Sequence, residues 1–339
     1  MKVHLLWQTL LLVVCALLAF LTLNVEKVNE KKSVVILDAA LTDVQTIEYS
    51  SDDKTVVVTP QDTEKQEWIV ELKRRAIEKK KTPSEQAVSD GGTPLKDGGE
   101  PDTHAPREMT FRFPASKSLV RSIEKLLPIS AKRELGTVDT QMREVMGFEE
   151  TSERLLLSTT KGTHQWTLGD KTYGNQGRYA MADESGVVYL LPMAMLRGFE
   201  GNETRLAERK LFKLETSDIE SFVVTKGDVS LEFKHHARDQ INKRYFARAD
   251  MPEVQSEDAK KFVAAVRMVK VARYVEPSDV ATIPRQATIL FNLEGGETVK
   301  GEFLSDGQGD GYLSVAPWVG ELKESIFREI LDDLALLMP

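Results

Sequence analysis

The order of apolar runs, turns and capping residues in the first half of the chain recurs in the second, and this repetition constrains the fold more than any single motif. Asp43-Val44 opens one strand pair and Asp218-Ile219 opens another. A helix predicted from about Ser116, with Leu119, Ile123, Leu126 and Leu127 on one face, has its counterpart near Ser256, where Phe262, Val263, Val266 and Val269 form the apolar face. Leu155 to Gly162 matches Ile289 to Gly296. Tyr189-Leu190-Leu191-Pro192 matches Ser314-Val315-Ala316-Pro317, and each proline is expected to precede a helix. The pattern predicts an α+β fold of two duplicated lobes, each an antiparallel β-meander with helices.

Alternating apolar positions place strands at Val34 to Leu37, Val44 to Tyr49, Thr55 to Val58, Gln66 to Val70 and around Phe111 and Phe113. Further strands fall at Arg154 to Ser158, His164 to Leu168, Arg178 to Met181 and Val187 to Leu191, and then a helical stretch leads from Pro192 towards Lys210. In the second half the pair is Ser221 to Val224 and Val229 to Phe233. The first repeat is expected over 33–212 and the second over 213–339. Segment 80–107 interrupts the first repeat; it is rich in Pro and Gly, lacks aromatics, and reads as a disordered insertion because it has too little apolar surface to offset the entropy of ordering. Lys79, Lys80 and Lys81 at its start read as a solvated charge run.

The stretch Leu5 to Leu23 carries no charged residue and is long enough to cross the roughly 30 Å core of a bilayer as a helix. Leu5, Leu12, Val14, Leu18, Phe20 and Leu23 favour insertion, and Trp7 would sit near an interface. A cleaved signal peptide is the alternative, but the run exceeds the usual h-region and no small-x-small site follows it. The expected layout is a cytoplasmic head at 1–4, a transmembrane helix at 5–23, a stalk at 24–32 and the bulk of the chain outside the cytoplasm. Lys2 opposes Lys27, Lys31 and Lys32 across the span, so the charge rule is nearly balanced, and the short head favours N-in.

With 45 basic against 53 acidic residues, the net charge of -8 argues against a nucleic-acid-binding surface. The one cysteine, Cys15, lies inside the apolar run, so the remainder can form neither a disulfide nor a thiolate metal site. None of the five histidines pairs at the i, i+4 spacing of a helical metal site, and no Walker loop or Gly-x-Ser-x-Gly elbow is present. Asp306-Gly-Gln-Gly-Asp310-Gly311 has the opening of a calcium loop but Pro317 at the twelfth position, and a glycine-rich hairpin turn explains it better. No catalytic, metal or cofactor residues are therefore expected. Trp318, Leu322, Ile326, Ile330, Leu334 and Leu337 recur at helical spacing near the end of the chain; they read either as the core face of a last helix or, for Trp318, Leu322, Ile326 and Ile330, as a partner-docking face.

From Gly147 onward the chain resembles the bacterial family catalogued as domain of unknown function 4340. The resemblance rests on Gly147-Phe148, Leu168-Gly169, Gly177-Arg178-Tyr179, Val188-Tyr189-Leu190 and Leu206 to Phe212 running into Asp218-Ile219, with Glu67-Trp68-Ile69 nearer the N-terminus. Ala207-Glu208 departs from the Arg-Asp pair frequent in the family. The resemblance implies a membrane-anchored protein of no assigned activity, encoded beside gliding-type ABC transporter components, and carries over no catalytic residue. The expected function is a non-enzymatic accessory or scaffold subunit of the bacterial inner membrane. Its expected partners are envelope proteins such as ABC transporter permease components, the bilayer itself, and no nucleic acid. A lipid- or glycan-binding carrier is the alternative, and an envelope hydrolase ranks below both.

Overall fold

The computed structural model describes residues 33–62, 65, 67–74, 109–240, 242–307 and 309–338. The expected head, transmembrane helix, stalk and 80–107 insertion lie outside these residues. Among the described residues, no helix is long and apolar enough to cross a membrane.

The first half runs β1 (Val34–Leu37), a 3-10 turn at Leu41–Asp43, β2 (Val44–Ser50), β3 (Lys54–Asp62), β4 (Glu67–Arg74), β5 (Met109–Pro114), α1 (Lys117–Leu126), β6 (Ile129–Ala131) and β7 (Arg133–Thr137). It continues through α2 (Thr140–Val145), β8 (Arg154–Thr159), β9 (Gly162–Lys171), β10 (Gly177–Ala182), β11 (Val187–Pro192) and two short turns of helix, α3 (Met193–Leu196) and α4 (Glu203–Leu206). The second half has a 3-10 turn at Thr216–Asp218, β12 (Ile219–Lys226), β13 (Val229–His236), β14 (Tyr245–Arg248), α5 (Glu257–Met268) and β15 (Arg273–Val275). After a 3-10 turn at Pro277–Val280 come β16 (Arg285–Leu293), β17 (Thr298–Ser305), β18 (Gly311–Val315), β19 (Trp318–Leu322) and α6 (Glu324–Leu337).

The molecule is built mostly of antiparallel sheets with a few helices laid on them. One sheet has the order β5-β4-β3-β2-β8-β9-β10-β11-β7 and the other β14-β13-β12-β16-β17-β18-β19-β15. Apart from the extra edge strand β5, the two orders are the same. The likeness reaches individual bonds. The Thr160 amide donates to the Asp43 carbonyl at 2.8 Å, and the Glu294 amide donates to the Asp218 carbonyl at 2.8 Å. Both first strands also carry an irregularity just after these turns, between Val44 and Thr46 and between Ile219 and Ser221.

Period-two alternation decides which face of each sheet is buried. Val56 and Val58 of β3, Trp68, Val70 and Leu72 of β4, and Ala287, Ile289, Phe291 and Leu293 of β16 all point inward. Burying each large aliphatic or aromatic side chain contributes about 1.5–3 kcal/mol, and a one-residue slip in register would turn the whole set outward. Each helix that follows the first meander is capped by its serine. Ser116 Oγ accepts from the Leu119 amide at 3.2 Å and Ser256 Oγ from the Ala259 amide at 3.1 Å. Leu119, Ile123 and Leu126 of α1, and Ala259, Phe262, Val263 and Val266 of α5, lie on the buried face.

The two lobes join through the stretch Ala207 to Arg209. Ala207 pairs with Ala115 beyond β5, and the Glu208 amide donates to Pro114 O at 2.8 Å. On the other side, the Val271 amide donates to Arg209 O at 2.9 Å, Arg209 Nε donates back to Val271 O at 2.7 Å, and the Tyr274 hydroxyl donates to Glu208 O. The Phe113 and Tyr274 rings meet across this seam at 5.8 Å, so one hydrophobic core includes residues of both halves.

Several expectations are corrected. β1 does not begin the meander but pairs with β6 in a separate two-stranded sheet. Pro317 does not precede a helix; it lies in the turn between β18 and β19, and the helix starts at Glu324. The helical stretch from Pro192 to Lys210 is broken into α3 and α4, with Gly198 and Gly201 in the break. The periodic run Trp318 to Leu337 spans a strand and a helix, because a strand followed by a turn happens to keep its apolar residues four apart. Leu322 is 3% exposed and Ile330 1%, both inside the core, so they offer no face to a partner. Trp318 and Ile326 are half-buried against that core, with the Trp318 ring edge-on to Tyr274 at 5.9 Å.

Candidate functional site

The first lobe holds two buried cations, Lys54 and Arg178, and two half-buried carboxylates, Glu153 and Glu200, beneath its surface. Lys54 opens β3 on the inward side of the Val56 and Val58 alternation and is 9% exposed. Its ammonium donates to Gly201 O at 2.6 Å and to Phe199 O at 3.2 Å. Arg178 of β10 is 4% exposed, and its Nε donates to Gly169 O at 2.9 Å. Its Nη2 lies 2.8 Å from Glu153 Oε2 and its Nη1 3.4 Å from Glu200 Oε1. The Tyr49 hydroxyl donates to the same Glu153 oxygen at 2.7 Å, and Lys171 approaches Glu200 at 3.8 Å.

The electrostatics favour the ordinary charge states of Glu153, Tyr49 and Arg178. Burial pushes the Glu153 carboxyl up, but hydrogen bonds from Arg178 and Tyr49 and the guanidinium charge outweigh it and set it below the usual carboxylate range. Burial, followed by the Glu153 hydrogen bond, drives the Tyr49 phenol well above its usual range. Burial disfavours the charged Arg178, and its carboxylate partners more than compensate. Burial also pulls the Lys54 ammonium down. With Glu153 held anionic and Tyr49 held protonated, neither is poised to exchange a proton near neutral pH. Lys54 and Arg178 instead grip the segment Phe199 to Gly201 from the sheet side.

That grip shapes what lies above it. The segment from Arg197 to Arg205 joins α3 to α4 and faces α1 across a groove of about 510 Å³ that is open to solvent. Ser118, Ser122 and Lys125 of α1 form one wall, and Arg197, Gly198 and Arg205 form much of the other. The backbone comes close enough to α1 at Gly198 that a Cβ there would overlap the Ser122 side chain. The Ser116 hydroxyl donates to Arg205 O at 2.6 Å and Ser118 shares that oxygen at 3.4 Å, while Ser122 donates to Ser118 O at 3.0 Å. The segment is thus held from beneath by two buried cations and from the side by a helix cap.

The other residues singled out from sequence are not brought together. The anchor positions Leu5, Trp7, Leu12, Val14, Leu18, Phe20 and Leu23 lie outside the described residues. His235 is buried with Nδ1 2.9 Å from Ile219 O, and His236 stacks on Tyr245 at 5.0 Å. Asp306 to Asp310 connects β17 to β18. Among the described residues, no three His, Cys, Asp or Glu side chains stand together as a metal site.

Sequence reading missed Lys54, Glu153 and Glu200, singled out Arg178 only through the family resemblance and without a role, and missed the groove cations Lys125, Arg197 and Arg205. A lysine in phase with the inward residues of β3 was the available signal for the first group. Two glycines in the stretch Arg197 to Gly201 were the signal for the second.

Comparison with curated proteins and with solved structures found no match. The residues quoted for the family resemblance do, however, have work in this geometry. Gly169 supplies the carbonyl that Arg178 Nε binds, and its own missing side chain leaves room for Met146 O and the Phe148 ring. Gly177-Arg178 opens β10 and so delivers the guanidinium to Glu153 and Glu200. These residues lie within 112–287, just over half of the chain, which matches the family described as domain of unknown function (DUF4340), and the chain belongs to that family.

Proposed function

We propose that the protein is a non-enzymatic accessory or scaffold subunit, held in the bacterial inner membrane by Leu5 to Leu23. Its two lobes are one duplicated unit, lie outside the cytoplasm, and bind another envelope component in an ABC-transporter-linked assembly. The observation that carries this reading is the use made of the buried and half-buried charges. Lys54, Arg178, Glu153 and Glu200 fix the shape of a surface segment, which suits a binding module, and the pKa directions of Tyr49 and Glu153 oppose acid–base work by those two groups. The shared strand order supports duplication, and the uncharged run supports the anchor.

Cross-linking in intact cells, gentle detergent extraction and mass spectrometry test it. The expected result is cross-links from either lobe to an integral membrane protein; recovery as a lone monomer at native expression overturns it. Protease added outside spheroplasts is expected to digest both lobes.

A ligand carrier is the second reading, favoured by the open groove between α1 and the α3–α4 segment. Native mass spectrometry of protein from cells would show a retained small molecule in that case.

A further inference from the structure

We infer that the groove between α1 and the α3–α4 segment is a binding site for a phosphate group. Three cations line it, Lys125, Arg197 and Arg205, and no acidic side chain does. None of the three forms an ion pair among the described residues. The two carboxylates of the same segment are directed elsewhere: Glu200 meets Arg178 and Lys171, and Glu203 is surrounded by the charges of Arg74, Arg273 and Arg209. Glu124, the one acid of α1, is exposed and is not part of the wall.

The chemistry of the wall selects the ligand class. A single carboxylate could satisfy one guanidinium fork and would leave two cations without a partner. A tetrahedral phosphate offers enough oxygens for two guanidinium groups and an ammonium together. Ser118 and Ser122 add hydroxyls that can turn from their carbonyl partners towards an anion. The backbone carrying Arg197 and Arg205 is already held through Lys54, Arg178 and Ser116, so binding has to order only the side chains of the three cations.

The second lobe shows what this place looks like when it has no such ligand to hold. Six residues beyond the capping serine, α1 has Ser122 and α5 has Phe262, which is fully buried. There the two helices pack with an aromatic between the sheet and the helix layer. Here the same position is a small hydroxyl facing a basic cleft.

Phosphate could come free in solution or on a lipid headgroup, and one experiment separates these. Full-length protein in non-ionic detergent would be titrated with inorganic phosphate by calorimetry. The same protein in nanodiscs of phosphatidylcholine, with and without phosphatidylglycerol, would be followed by amide hydrogen exchange over 117–126 and 193–206. Saturable calorimetric binding of inorganic phosphate identifies a soluble ligand, and protection of both segments that requires phosphatidylglycerol, without calorimetric binding, identifies a headgroup. Lys125→Gln, Arg197→Gln and Arg205→Gln each remove an exposed charge and are expected to weaken binding roughly three- to tenfold with unchanged circular dichroism. Lys260→Gln on α5 is expected to change nothing. No binding in either arm, or binding that the three variants leave unaltered, overturns the site. A chain that binds phosphate in detergent but does not enter nanodiscs instead overturns the anchored reading of function and leaves the site intact.

Discussion

The two lobes share a strand order and a capped helix, yet they use the space between sheet and helices in opposite ways. In the second lobe Phe222 stacks on Phe233 at 4.9 Å and meets Phe246 edge-on at 5.4 Å, with Phe262 of α5 and Phe291 of β16 closing the group. Its 14-residue helix α6 then seals the layer with Phe327, Ile330, Leu334 and Leu337. In the first lobe the helix after β11 lasts 4 residues, and the region beneath it contains Lys54, Arg178, Glu153 and Glu200. Where Lys54 opens β3, Val229 opens β13; where Gly177-Arg178 opens β10, Gly311-Tyr312 opens β18. The same sheet can therefore be completed by apolar packing or by a paired charge cluster. The second solution leaves a shaped surface, because Lys54 binds the carbonyls of a non-helical segment whose Phe199 is itself buried in the core.

The sharpest way to break this contrast is to truncate the aromatic that closes the second lobe. Phe262→Ala is expected to destabilise the protein by about 3–5 kcal/mol in urea unfolding, whereas Ser122→Ala at the matching position is expected to shift it by less than about 0.5 kcal/mol. Equal costs would mean that the two helix layers carry the same load.

Next in size is the charge cluster itself. Arg178→Met leaves Glu153 and Glu200 without their shared cation. The expected loss is about 2–3 kcal/mol, below the figure for a fully enclosed pair because both carboxylates keep some contact with water. Hydrogen exchange should rise first over 197–205, the segment the cluster holds. A uniform rise over both lobes would show that the cluster stabilises the whole molecule and not this loop.

The capping serines offer a finer comparison. Ser256→Ala removes one cap and is expected to cost about 1 kcal/mol. Ser116→Ala also removes the bond to Arg205 O and is expected to cost about 0.5–1 kcal/mol more, as measured by urea midpoints.

The smallest effect should appear with acid. Glu153 is held below its usual range, so the unfolded chain binds the proton more readily and stability contributed by this group is present above the ordinary carboxylate range. It is lost as pH falls out of the ordinary carboxylate range and through the depressed folded value. Glu153→Gln is expected to flatten that part of the stability profile while leaving the slope near neutrality unchanged. An unaltered acid limb would place the depressed carboxyl elsewhere.

Much of the architecture was legible from residue order, and the reason is physical. Alternation along β2, β3, β8 and β16 reports which face meets the core, and a serine before an apolar helical run reports a cap. Both are local signals, and Ser116, Ser256, Asp43 and Asp218 stand where they were expected. The Trp318 to Leu337 run shows how a local signal fails. Residues four apart share a face of a helix and also share a face of a strand, so the spacing could not reveal that a strand ends at Leu322 and a helix starts at Glu324.

Sequence by itself determined the alternation of strands such as β3 and β16, the helices capped by Ser116 and Ser256, the uncharged run Leu5 to Leu23 and the absence of thiolate chemistry beyond it, because each depends on neighbours in the chain. The tertiary structure alone decided that Lys54, Glu153, Arg178 and Glu200, spread over 147 positions between Lys54 and Gly201, meet under one loop, and that Lys125, Arg197 and Arg205 then line one groove. A charge is tolerated inside a core only where partners arrive from distant strands, and the order of residues along a chain does not state which strands will become neighbours.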